Sequence, residues 1–301
     1  MKTNKILMSA FALTVAFASL TSCGKDDPAT PLPQIGGYDN AGQVGKADLV
    51  AYWSMDGNGK ESISGTAPEK TVGATFMAGA KGQAANFVNG FMAYPAIAAL
   101  SSTTGSITIS TWAKVSNNLT PTSASTSCLL TLSRPNDWAG NVNLLLETGQ
   151  RAVTNDSVQV KGYVQIKKED GTNSGQDIVN MIKQEPWMDA AHSWNANKVG
   201  GQWAQYVIVW NAADGSFKIY VNGVKISNTA WESRNGGSAL PLNFFTPTKP
   251  IIGAFSTFAD GTSTDVWNKP LNGMVDEMRV WKKALAGSDI NALYELEKAG
   301  R

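Results

Sequence analysis

The chain has 301 residues, 43% hydrophobic and 16% charged, with 29 Gly and 12 Pro, enough to bury the core of one large β domain or two small ones without cross-links. Lys and Arg total 25 against 24 for Asp and Glu, so no net field draws the protein to nucleic acid or to an anionic membrane surface. The only histidine is His192, which argues against a His-rich metal centre and leaves a Ser/His/Asp hydrolase resting on one loop residue.

Lys2 and Lys5 precede an apolar run from Ile6 to Leu20. A basic start followed by a short apolar stretch is the layout of a secretory signal peptide, whereas spanning a bilayer takes roughly 20 apolar residues. The run ends in Leu20-Thr21-Ser22-Cys23, which resembles a bacterial lipobox. That resemblance implies cleavage before Cys23 and acylation of its sulfur and new amino group, and two or more acyl chains anchor a protein stably. The alternative is an ordinary signal peptide ending near a cysteine. Residue 24 is Gly rather than Asp, and Lys25-Asp26-Asp27 resembles the export tag of surface lipoproteins in some Gram-negative bacteria. An outer-membrane, outward-facing position is the implied address. Residues 1–22 are therefore expected to be a lipoprotein signal peptide and residues 23–46 a lipidated, flexible tether. Pro28, Pro31, Pro33, Gly36, Gly37, Gly42 and Gly45 give that stretch a composition that builds no core. Residues 47–301 are expected to form one domain.

From Leu49 onward, short β-type runs alternate with turn residues. Strands are expected at Leu49–Met55, Thr71–Met77, Ala84–Val88, Ser106–Val115, Cys128–Ser133, Val142–Glu147, Ser157–Lys167, Trp203–Asn211, Ser216–Val221, Ile251–Phe255 and Gly273–Trp281. The stretch from Ser106 to Trp112 alternates with period two, as a half-buried strand does. Asp214-Gly215 and Asn222-Gly223 mark hairpin turns. Ile107, Ile109, Val207 and Val280 are expected on inward-facing rows. Cys128 sits in the apolar run Cys128-Leu129-Leu130-Thr131-Leu132 and reads as a buried structural thiol. Ser288–Ala299 has helical spacing, with Ser288 as the expected cap and Gly300 at the stop. The fold class that follows is all-β: two antiparallel sheets face to face in a jelly roll, with a short C-terminal helix.

Five segments, in order, resemble the laminin G-like jelly-roll domains of the concanavalin A-like lectin/glucanase superfamily: Leu49–Asn58, Gly82–Phe87, Ile107–Lys114, Phe217–Gly223 with the strand before it, and Leu271–Trp281 with Ala284-Leu285. The resemblance implies a sugar site on the concave sheet or in loops along one edge, and in many members a structural calcium. Fold alone does not fix function. A hydrolase of this superfamily needs two carboxylates projecting into one cleft, and neither Glu-x-Asp-x-x-Glu nor Glu-x-Asp-x-Glu occurs on a strand. Asp276 and Glu277 are adjacent, so a regular strand points them to opposite faces. Catalysis is not expected.

Calcium wants several oxygen ligands on a stiff loop. Asp56, which closes the first strand before Gly57-Asn58, and Asp276, aligned with Met274, Met278 and Val280, are the candidates; the alternative is carboxylates that accept backbone or Arg hydrogen bonds. Sugar recognition is read from tryptophans, since a pyranose stacks its C–H face on an indole while Asp, Asn and Arg bond its hydroxyls. Trp53, Trp112, Trp203 and Trp281 lie within strands and are expected in the core. Trp138, Trp187, Trp194, Trp231 and Trp267 lie in turn-rich stretches, where they either meet ligand or pin the loops. Arg134, Asn136 and Asp137 flank Trp138. The long connection from Lys168 to Gly201, holding Trp187, His192 and Trp194, is a candidate binding loop. The favoured function is a non-catalytic surface lipoprotein that captures polysaccharide or glycan. A glycoside hydrolase of the same superfamily and an adhesion module that binds protein are the alternatives.

Overall fold

A computed structural model describes residues 31–101 and 104–301; the expected signal peptide, Cys23 and residues 24–30 of the expected tether lie outside the described residues. The first part of the domain gives β1 (Leu49–Trp53), the β2 (Lys70–Ala78) and β3 (Gln83–Ala93) hairpin, the short β4 (Thr104–Gly105), and β5 (Ile107–Lys114). A meander follows: β6 (Ser127–Leu132), β7 (Val142–Leu146), β8 (Val160–Lys167) and β9 (Asn173–Val179). The hairpin at Asp214-Gly215 joins β10 (Trp203–Asn211) to β11 (Ser216–Val221), and β12 (Val224–Lys225) turns back after Asn222-Gly223. The chain closes with β13 (Leu242–Asn243), β14 (Pro250–Ile252), the single-turn α1 (Ser256–Ala259), β15 (Leu271–Trp281) and α2 (Gly287–Lys298).

Ten of the eleven strand ranges expected from periodicity agree to within three residues at each end; the exception is β3, which runs on through Ala93. The strands missed are β4, β9, β12 and β13. β9 (Asn-Ser-Gly-Gln-Asp-Ile-Val) carries almost no apolar pattern, yet all seven residues pair with β8. It is an edge strand, and a polar edge protects a sheet from pairing with other chains.

Among the described residues the antiparallel ladder is continuous, in the order β12-β11-β10-β5-β15-β3-β14-β6-β7-β8-β9, with β1 on β15 and β2 on β3. The sheet folds over at β3 and β14, so that the β6–β9 half faces the β5, β10, β11 and β15 half. Gly162 of β8 marks how close the halves come: a Cβ there would stand 2.5 Å from the Phe217 ring and 3.0 Å from Ile208. Between the halves lie Ile107, Ile109, Leu130, Leu144, Val160, Val164, Tyr206, Ile208, Trp210, Phe217 and Val280, with Trp53.

Period-two alternation in β10 sends Tyr206, Ile208 and Trp210 into that core. Val207, expected to face inward, points the other way with Val209 and packs against Trp281, Ile290, Leu293 and Leu296. The outer face of this half is thus a second apolar layer covered by α2, which is why β5 is buried on both faces up to Ala113. Trp53, Trp112 and Trp281 are buried as expected, and Trp203 is half-buried. The helix starts one residue earlier than its spacing suggested, and Ala286 holds the cap position with no side-chain bond, so Ser288 is not the cap.

Residues 34–46, expected to belong to a tether, are part of the folded unit. The folded unit begins at Gln34, because Ala41 and Val44 are buried in the α2 layer. Tyr38 Oη donates to Asp289 at 2.9 Å, and Trp281 Nε1 donates to the Val44 carbonyl at 3.1 Å. Gly36 and Gly45 serve close approach here: a Cβ on Gly36 would lie 2.5 Å from Ala292, and one on Gly45 2.8 Å from Leu285.

Candidate functional site

The loop from Arg134 to Asn141 joins β6 to β7. Asn136 takes the left-handed conformation at φ 56, which Asn adopts more readily than most residues. Asp137 Oδ1 accepts from Ala139 N at 2.9 Å and from Gln165 Nε2 at 2.9 Å. Arg134 lies 3.7 Å from Asp137 Oδ2 and stacks its guanidinium on Phe245 at 4.1 Å. Buried Asn141 ties the loop to the segment before β14, donating to the carbonyls of Ser133 and Phe245.

This loop sets Trp138 on the outer face of the β6–β9 half. Its ring lies parallel to Tyr163 of β8 (5.9 Å, 19°) and edge-on to Phe255 (5.4 Å) and Trp267 (5.2 Å). Beneath them Cys128, Leu145 and Phe255 are buried. Trp138 remains 37% exposed, so the cluster presents an indole to solvent on a rigid support. Beside it the ladder places Asp177 opposite Tyr163. Lys161 bridges Asp177 at 2.9 Å and Glu147 at 3.4 Å. Burial works against the Lys161 ammonium, but Glu147 and Asp177 outweigh it and hold its pKa above the ordinary value. The face therefore combines an aromatic platform with a row of fixed acids, amides and a cation.

Of the residues singled out from sequence, Arg134, Asp137, Trp138 and Trp267 meet here, with Asn136 on the adjoining rim. Tyr163, Phe255 and Gln165 complete the platform and carried no signal of their own; Tyr163 and Gln165 alternate like any other strand residue until register says which side faces water.

Trp187 and Trp231 belong to a different place. They stack at 5.8 Å and 24°, with His192 against both rings and 2.8 Å from Asp189. Trp231 leans on the main core while Trp187 is 57% exposed. Trp194 is exposed and joins neither cluster.

Asp56 and Asp276, far apart in sequence, converge on the turn between β2 and β3. Asp56 Oδ1 accepts from Gln83 N at 2.8 Å, and Asp276 Oδ2 accepts from Lys81 N at 3.0 Å. Gly79 and Gly82 leave room for them, since a Cβ at either would collide with the Asp276 or the Asp56 carboxylate. The register of β15 shifts between Asp276 and Arg279, and Glu277 takes φ 47. The two acids consequently do not point to opposite faces as a regular strand would place them. Glu277 approaches Lys81 at 3.7 Å and pairs with Arg279 and Tyr52 Oη. Burial, reinforced by Glu277 and opposed by backbone N–H groups, raises the Asp276 carboxyl to about 7. Calcium takes 6–8 oxygens. Two carboxylates on one glycine-containing turn supply part of such a set, and no cluster of three or more acid, His or Cys ligands occurs among the described residues.

The sequence profile of a laminin G-type family, described as the concanavalin A-like lectin/glucanases superfamily, matches residues 89–291. The chain belongs to that superfamily. No curated protein sequence matches the chain. Among solved structures, this lectin/glucanase-type domain is similar to the ligand-binding domain of botulinum neurotoxin serotype D, solved with N-acetylneuraminic acid, at a TM-score of 0.52 and 14% identity over 85% of this chain and 52% of that one. The serotype G binding domain matches at a TM-score of 0.52 and 12% identity, over 83% and 51%. Domain 4 of AbnA, an extracellular arabinanase from Geobacillus stearothermophilus solved with arabinotriose, gives a TM-score of 0.49 and 17% identity, over 82% and 98%. The chain spans about half the length of the neurotoxin domains it matches. At these identities the likeness is one of fold.

Proposed function

We propose that the protein is a non-catalytic carbohydrate-binding surface lipoprotein whose glycan site is the outer face of the β6–β9 half. The observation that carries this reading is Trp138, partly exposed and held parallel to Tyr163. A sugar ring lies flat on such an indole, and Asp177, Lys161 and Asp137 stand within reach of its hydroxyls. Affinity electrophoresis of the purified protein against a polysaccharide panel tests it. Trp138→Ala weakens binding about tenfold or more, since a central Trp is a typical hot-spot residue, while Trp138→Phe keeps part of the affinity. Unchanged migration of Trp138→Ala in every gel that retards the wild type would remove the site from this face.

The non-catalytic reading is supported by the sequence: a retaining or inverting glycosidase needs two carboxylates projecting into one cleft, and neither Glu-x-Asp-x-x-Glu nor Glu-x-Asp-x-Glu occurs on a strand. Release of reducing ends from any bound glycan would shift the reading to a glycoside hydrolase. Asp56 and Asp276 would be the ligands of a structural calcium ion, which would tie β1 and β15 to the β2–β3 turn. Anchoring through Cys23 at the outer membrane is proposed from the lipobox-like run, and Cys23→Ser abolishes labelling of the protein by fatty acid in cells if it holds.

A further inference from the structure

We propose that the protein has a second glycan-binding site, a platform made by Trp187 on Trp231, and so grips a polysaccharide at two separate points. This rests on the carbohydrate-binding reading of the chain and adds a site to it.

β9 and β12 are the two ends of the ladder, and the curl of the sheet brings β9 against β11 across the sandwich. The loop after β9 carries Trp187, and the single turn Thr229–Trp231 after β12 carries Trp231. Their rings stack at 5.8 Å and 24°. Trp231 forms the floor. It packs against the main core, and Asn228 caps its turn by accepting from Ala230 N at 3.1 Å. Buried Glu232 beside it accepts from Ser227 Oγ at 2.7 Å and pairs with Lys225 at 2.7 Å. Trp187 is thus an indole lying on a fixed support, as Trp138 is on Tyr163.

The ring of Trp187 is not what fastens its loop. Ile182, Met188 and Val199 are buried, and Arg151 pairs with Glu185 at 3.1 Å. The Asn197 amide donates to the Val158 carbonyl at 2.6 Å and accepts from Val158 N at 3.0 Å. With Met188 turned inward, its neighbour Trp187 stays more exposed than Trp138. Burying an indole is favourable in proportion to the area taken from water, so a ring held outward on a rigid base is open to the apolar face of a ligand. At the rim, His192 lies 5.5 Å from both rings. Asp189 Oδ1 accepts from Ala191 N at 2.8 Å and lies 2.8 Å from His192 Nδ1, which orients the imidazole. Its other oxygen and the other ring nitrogen bond nothing among the described residues. A pyranose stacked on Trp187 therefore meets a carboxylate and an imidazole for its hydroxyls, the pairing of one flat apolar ring with a few polar groups that suits a sugar.

Affinity gels of galactan, xylan, mannan, β-glucan and polygalacturonate test this, followed by calorimetric titration with the trisaccharide of each polymer that retards the protein. The trisaccharide is expected to bind at two places on the wild-type chain and at one on Trp187→Ala or Trp138→Ala. Trp187→Ala weakens polymer binding about tenfold or more, because two linked contacts reinforce each other, and the double variant does not bind. Trp187→Phe keeps part of the affinity. Trp194→Ala removes an exposed indole outside both clusters and leaves both measurements unchanged. Trp187→Ala melts with the wild type, since Met188 and its neighbours hold the loop; a clear fall would make the ring a fastening and overturn the inference. One trisaccharide per wild-type chain, wild-type migration of Trp187→Ala in every gel, or an equal loss in Trp194→Ala also overturns it. If Trp138→Ala alone loses binding, the first platform stands and this one falls. If Trp187→Ala alone does, this site stands and the Trp138 reading falls. A wild type that no gel retards overturns both.

Discussion

Beneath the platform, Cys128 shows how burial settles the chemistry of one residue. Its thiol is pushed up to about 12 by burial, against a weaker lowering pull from Thr131 and Asn143. The thiolate is the reactive form, so Cys128 stays unmodified by iodoacetamide in the native protein and reacts only after denaturation, which peptide mass mapping reads directly. Labelling of the folded protein would mean that the Phe255–Trp267 cover opens. Asp276 behaves in the opposite sense from a surface carboxylate. Its folded value of about 7 lies above the ordinary 3.8, so between those two pH values the folded chain holds more protons than the unfolded one. In chelator, the contribution of Asp276 to stability is therefore greatest below about pH 4 and declines as pH rises towards about 7. Calcium, if it binds Asp56 and Asp276, raises the melting temperature chiefly at the upper end of that window, where it no longer competes with a proton. Thermal melts with calcium and with chelator across pH 4 to 8 check both statements. At this scale sequence reading singled out Arg134, Asp137, Trp138 and Trp267, which the structure brings together, because loop tryptophans beside charged residues stand out. It missed Tyr163 and Gln165 because their role depends on a register that composition does not encode.

The C-terminal helix is held by more than its apolar stripe. Buried Glu297 accepts from Trp112 Nε1 at 2.7 Å and Gln205 Nε2 at 3.0 Å, and it pairs with Arg279. Arg279 in turn reaches Glu277 at 2.6 Å, so one charge chain runs from α2 through β15 to the β2–β3 turn. Removing Glu297 leaves buried Arg279 with Glu277 as its remaining carboxylate, and takes the acceptor from Trp112 Nε1 and Gln205 Nε2. Glu297→Ala is expected to destabilise the fold by about 3–5 kcal/mol, seen as a lower urea midpoint with an unchanged slope, whereas Glu297→Gln costs less because it keeps an acceptor. The helix itself was legible from the spacing of Ile290, Leu293 and Leu296. Its polar anchor was not, because a lone Glu near a helix end looks like any solvated residue. Residues 34–46 misled for a related reason: a Gly-rich, polar composition suits a linker, but Gly36 and Gly45 allow the close approach to Ala292 and Leu285 that packing on α2 requires. Deleting residues 34–46 uncovers Trp281 and lowers the melting temperature by several degrees, as losing even about 1–2 kcal/mol does in a domain of this size.

Across the whole molecule the ladder has no break between the halves, since β14 pairs with both β3 and β6. The two halves share a single core, so calorimetry is expected to give one transition with matching van't Hoff and calorimetric enthalpies. Most of the strands were readable because each strand of the sandwich core alternates or runs fully apolar. The fold-over at β14, only three residues long, was not, because nothing in Pro-Ile-Ile announces that it joins two sheets. One consequence follows from where the ends of the domain meet. Ala41 N donates to the Arg301 carbonyl at 3.3 Å, and Arg301 Nε donates to that of Asp39 at 3.0 Å, on the α2 side of the sandwich and opposite Trp138. Asp39 and Arg301 thus share one side of the folded unit, away from the indole. The folded unit held at either residue presents that indole away from the point of attachment, and joining these two residues by a short linker would permit a break in the chain elsewhere without disturbing it.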